Sequence, residues 1–155
     1  MMADPSLREV AAAHARVAAG WLALGRSIDR LSAVLTLLAL AALLWTAPPP
    51  SARLALAAAV VAGLAEKAFA LRVAFDRAIF ADWMRRWDAP GGAAPEHDLA
   101  AFDDALAAAG RLVRAAARPL PERVRGATAL LKRQAGLLAG QFIALLVAAL
   151  CQGQP

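Results

Sequence analysis

Apolar residues recur three and four positions apart from the start of the chain: Leu7, Val10, Val17, Trp21, Leu24, Ile28 and Leu31. That spacing keeps them on one face of a helix, so residues 6–30 are expected to form an amphipathic helix. Asp4-Pro5-Ser6 marks its start, with Ser6 as N-cap and Glu9 at the capping-box distance. The stripe is expected to be a packing seam. Its one polar member is His14, and Arg8, Arg16, Arg26 and Arg30 fall beside it.

The pattern then changes. Leu31 to Ala47 holds no charged residue. These 17 residues reach roughly 26 Å as a helix, close to the short limit for a bilayer span. Trp45 lies near the far end, where an indole suits the headgroup layer. Pro48-Pro49-Pro50 stops the helix. Ser51 is expected to cap a second one, spanning from Ala52 to about Leu71 and continuing to about Trp87, because no breaker occurs before Pro90. Residues 89–95, rich in Pro and Gly, read as a linker. A further amphipathic helix is expected over 96–117, with the seam Leu99, Phe102, Leu106, Ala109, Val113 and Ala116. Arg118-Pro-Leu-Pro121 breaks it, and Pro121 suits the first turn of a last helix. That helix is apolar from Ala135 to Leu150 except for Gln141, and reads as a third span or, failing that, a re-entrant helix.

The expected fold is therefore all-α, an integral membrane helical bundle. It has an N-terminal amphipathic helix (1–30), a two-span transmembrane hairpin (31–71), a cytosolic helical hairpin region (72–133) and a third transmembrane helix with a short tail (134–155). A 30-residue amphipathic leader is too long for the n-region of a signal peptide, so no cleaved leader is expected.

Composition alone leaves a soluble bundle open. Hydrophobic residues make up 61% of the chain, against about 45–50% for soluble domains, but much of the excess is alanine. The distribution of charge decides. Of the 17 Lys and Arg, four lie in residues 1–30, one near the proline loop, 12 in residues 66–133 and none after Arg133. The positive-inside rule places the N-terminus and 66–133 in the cytoplasm and the C-terminus outside. A soluble bundle has no reason to strip charge from alternate segments. The arginine and alanine bias, with no tyrosine, suggests a GC-rich bacterial genome, and hence a bacterial inner membrane.

The same topology explains the high isoelectric point. The arginines of 111–133 face an anionic inner leaflet, where each adds about 1 kcal/mol when near the surface. No basic-aromatic motif points to nucleic acid. One cysteine, Cys151, excludes an internal disulfide and a cysteine-based zinc site within one chain. No phosphate loop, metalloprotease or nucleophile-elbow motif occurs. No cofactor is expected.

The candidate functional residues are of four kinds. A Phe-Asp run, "AFDRAIFADWMRRWD", is echoed by "AFDDALAAAG". It offers Phe75, Asp76, Phe80, Trp83, Trp87, Phe102 and Asp103 as an interaction surface, with Asp76 and Asp103 as two similarly placed carboxylates that could bind a cation or basic partner. His14 is a titratable group within its seam, a candidate switch. Glu66 and Lys67 are ionisable residues near the inner end of a span, where such groups are functional by default. Gly136 and Gly140 form a GxxxG that lets helices approach closely, with Gln141 able to bond across helices. Three functions are expected in descending order: a non-enzymatic subunit or scaffold binding a membrane-protein partner through its cytosolic helices; a homo-oligomeric ion or solute pore or carrier with Glu66 near the path; and a small lipid-modifying enzyme, for which no nucleophile or acid–base pair stands out.

Overall fold

The structure is a computed structural model, and it describes residues 5–89, 91–110 and 118–152. Among them are four helices and no strand: α1 (Pro5–Trp45), α2 (Pro50–Asp88), α3 (Pro95–Ala108) and α4 (Leu120–Gln152). By length and composition α1, α2 and α4 are each able to cross a membrane.

The expected division between an amphipathic helix and a first span at residue 30 is not a break in the backbone. α1 runs through it for 41 residues, because polarity changes there without any proline to interrupt the hydrogen bonds. The helix ends at the proline run. Thr46 closes its last turn on the Ala42 carbonyl at 3.1 Å, and Ala47 takes a left-handed φ of 43°, uncommon for a residue with a Cβ. α2 starts at Pro50 rather than after Ser51. Proline suits a first helical position because the N–H it lacks would have no intrahelical partner. α2 ends at Asp88, and Pro95, expected in the linker, instead opens α3 with Glu96 and Asp98 in its first turn, where carboxylates favour the helix dipole. α3 stops at Ala108, short of the expected Ala117. Gly110 adopts φ +68°, the left-handed end that glycine permits. Ala109 is therefore a cap and not a seam residue, while Val113 and Ala116 lie outside the described residues.

The chain divides into two compact units. The first comprises Met1–Leu22 and Phe75–Thr128. Its interior holds Phe80, Trp83, Trp87 and Leu120 together with Ala12, Ala15, Ala18 and Leu22. This corrects the expected seam of α1. Leu7, Val10, Val17 and Trp21 are exposed, each by more than half, and the alanine face between them is buried. The aromatic rings of α2 supply the bulk of the interior, and the face of α1 buried in the same unit carries small side chains. His14 goes outward with its stripe and is exposed, not packed.

The second unit comprises Ala23–Ala74 and Ala129–Pro155. Its apolar core is Ala39, Ala52, Leu56, Ala59 and Ala148, edged by Leu43, Val60, Leu145 and others. Small residues inside let helix backbones approach closely. Gly63 shows the tightness: a Cβ there would overlap Thr36 Oγ1 and stand 2.7 Å from Gln141 Nε2. Most of the large apolar side chains face out instead. Leu37, Leu44, Leu54, Leu64, Leu71, Ile143 and Leu146 are all more than 60% exposed, the arrangement a helix bundle takes when its solvent is lipid.

Candidate functional site

The second unit buries a line of polar groups. On α4, Gln134 and Gln141 are seven residues apart, two turns, and so share a face. Both are fully buried. Gln141 donates from Nε2 to the Ser32 carbonyl at 3.2 Å and to Thr36 Oγ1 at 2.9 Å. The Thr36 hydroxyl in turn donates to the Ser32 carbonyl at 2.8 Å. Gln134 donates from Nε2 to the Gly25 carbonyl at 2.9 Å and to Glu66 Oε1 at 2.6 Å. Two glutamines of α4 thus tie α1 to α4, and one of them also reaches α2.

Glu66 is 0% exposed. Its second oxygen, Oε2, lies 3.1 Å from Lys67 Nζ, outside hydrogen-bond geometry. Lys67 directs its bonds to Asp29, donating to the carbonyl at 2.7 Å and to Oδ1 at 2.5 Å. One ammonium therefore serves two carboxylates, one buried and one partly exposed. Such a set holds together only while every member keeps its partner, because an uncompensated charge in a low-dielectric core costs several kcal/mol. The Oε1 atoms of Gln134 and Gln141 and the Ser32 hydroxyl are buried without a partner.

The first unit builds its centre from the Phe-Asp run. Trp83 is the hub. It stacks on Trp87 at 5.6 Å between ring centroids and 11° between planes. It meets Phe80 and Phe102 edge-on at 5.6 and 5.5 Å, the geometry that opposes ring edge to ring face. Arg123 of α4 lies over both Trp83 and Phe102, at 5.8 and 5.4 Å, and pairs with Asp103 at 2.6 Å. Asp103 also accepts the Arg118 N–H at 3.4 Å. Trp87 donates its Nε1–H to Asp98 at 2.9 Å. Arg86 stands between Asp82 at 2.8 Å and Asp98 at 3.7 Å. Arg16 of α1 pairs with Asp88, and Arg8 donates to the Gly92 carbonyl at 3.4 Å. Between α2 and α3 lies an open groove of about 430 Å³ with Phe75, Ile79, Trp83 and Phe102 on its apolar side and Asp82 and Arg86 at its polar edge.

The two copies of the Phe-Asp pattern therefore occupy unlike surroundings. Phe75 is 55% exposed at the groove, while Phe102 packs on Trp83. Asp103 is held by Arg123, and Asp76 is partly buried. No cluster of three or more potential metal ligands occurs among the described residues. Phe80, Trp83 and Trp87, expected as an interaction surface, are interior. Gly136 and Gly140 are exposed with open space beyond their Cα atoms, so they make no close helix contact within the chain. Glu66, considered near the end of its span, is fully buried. Four residues that matter were not singled out from the sequence: Gln134, Asp29, Asp98 and Arg123. Only Gln134 carried a signal, its seven-residue distance from Gln141.

No protein-family model matches the chain, and no curated protein or solved structure shows significant similarity to it.

Proposed function

We propose that this chain is a small non-enzymatic protein of a bacterial inner membrane, a subunit or scaffold that holds a partner protein through helices outside the hydrocarbon layer. In this reading α1, α2 and α4 cross the membrane through the second unit. The N-terminus and the cationic region of 66–133 face the cytoplasm, against the anionic leaflet. The observation that carries the reading is the outward stripe of α1. Leu7, Val10, Val17 and Trp21 are 54–62% exposed in a unit whose aromatic side chains are otherwise mostly interior. An exposed apolar stripe in a water-facing region marks an interaction site.

Native mass spectrometry of the protein, extracted gently from its own membranes, tests this. A stoichiometric complex is expected, and it should dissociate when Val10 and Val17 are changed to Ser while near-ultraviolet circular dichroism stays unchanged. A purely monomeric mass from the wild type would end the proposal. The interior position of Phe80 and Trp83 makes them poor probes of binding, since their removal would act through the fold.

One observation favours a second reading, a pore or carrier: an ionisable side chain, Glu66, is buried in a candidate span. Against it, Glu66 is 0% exposed and takes its hydrogen bond from Gln134 of its own chain. Flux into liposomes that Glu66→Gln alters would support this reading, and absence of flux under every gradient would remove it.

A further inference from the structure

We infer that the partner held on the α1 stripe is a second copy of this chain, packed in parallel about a two-fold axis along α1. This rests on the scaffold reading above and names its partner. Three observations point to a copy. First, Leu7, Val10, His14, Val17 and Trp21 alternate at three and four residues, the a and d spacing of a parallel helix pair. Second, the stripe carries no formal charge, which matters because the copy is as cationic as the original, at +5. The nearest cations, Arg8 and Arg16, are drawn away to the Gly92 carbonyl and to Asp88. Two identical stripes therefore meet without like charges across the seam. Third, Ala13 and Gly20 flank the stripe seven residues apart, and the space beyond Gly20 is open, so two backbones can close on each other.

Membrane insertion favours the copy over a soluble partner. Two inserted copies already share one orientation and one plane, so much of the rotational freedom that association normally costs is already lost. A short seam then suffices. The two-fold axis sets His14 opposite His14 and Trp21 opposite Trp21, the self-complementary contact of an isologous dimer.

The test uses the full chain with two different tags, co-expressed in membranes. A photoreactive phenylalanine analogue replaces Val10, Val17 or, as an exposed position off the stripe, Glu9. Illumination should give an adduct carrying both tags from Val10 and Val17, at least tenfold stronger than from Glu9. His14→Asp places two carboxylates across the axis and should weaken that adduct at least fivefold, whereas His14→Leu should preserve or strengthen it. Both are surface changes, and an unchanged thermal midpoint in detergent verifies that each variant is folded. Adducts carrying both tags with equal yield at all three positions would overturn the inference, since the contact would then have no face. An adduct of one tagged chain with a different polypeptide would overturn the second copy and leave the scaffold reading standing. No adduct at any position would overturn both.

Discussion

The two units solve opposite packing problems with one set of helices. The first has a bulky aromatic interior, and its charges pair at the edge, Arg86 with Asp82 and Arg16 with Asp88. The second has an interior rich in Ala, Gly, Ser, Thr and Gln with a few larger residues such as Leu56 and Val73, and most of its Leu, Val and Ile side chains face out. Burying apolar surface drives folding only where the alternative is water. Where the alternative is lipid, an apolar side chain gains little by going inside, so close backbone contact and interhelical hydrogen bonds take over. The contrast between Trp83 and Gln134, each central in its unit, is the one that such a difference in solvent would produce.

Several substitutions would break or sharpen the contrast. The largest effect is expected at the aromatic hub. Trp83→Ala removes three ring contacts and should cost about 3–5 kcal/mol, measured as a shift of the denaturant midpoint followed by tryptophan fluorescence. If the first unit kept its stability, its core would not be aromatic in the energetic sense. Next, Gly63→Val forces a side chain onto Thr36 and Gln141 and should cost roughly 3 kcal/mol, read from thermal unfolding in detergent. A tolerated valine would mean that the second unit is not closely packed. Gln134→Leu keeps the volume but leaves Glu66 Oε1 without its donor. A loss of about 1–3 kcal/mol is expected, and Glu66→Gln in the same chain should restore part of it, because the uncompensated charge is then gone. The smallest effect belongs to the surface of the first unit. Arg85→Ala breaks an exposed pair with Asp82 and should change stability by less than about 0.5 kcal/mol, within error on the same denaturant curves.

The membrane-like character of the chain was legible early, because charge-free length and the sidedness of arginine are properties of the sequence itself. Helical type throughout the described residues followed from proline position and three-four spacing, although the change of polarity at residue 30 divided α1, which is one helix. What was not legible was which face of α1 turns inward. Both faces are apolar: one offers Leu7, Val10, Val17 and Trp21, the other Ala12, Ala15, Ala18 and Leu22. Periodicity ranks the first as the seam because it is more hydrophobic. The choice depends on what the rest of the unit brings to that side, and its large interior residues Phe80, Trp83 and Trp87 belong to a helix some 60 residues away in the chain. Asp98 and Arg123 were hidden for a similar reason. Asp98 was not singled out and Arg123 read as one more basic residue near a membrane, until the fold set them against Trp87 and over Trp83.

Glu66 marks the same boundary most sharply. That an acid sits in an apolar stretch of α2 is stated by the sequence, through local order alone. That it is fully buried, shares a lysine with Asp29 and takes a hydrogen bond from Gln134 depends on three helices meeting at one level. Local order determines where helices begin, where they stop and which stretches tolerate lipid, because those properties are set within a few turns of chain. Tertiary structure alone decided which polar groups find one another and which apolar stripe stays outside, because burial is a property of what other elements bring to the same place.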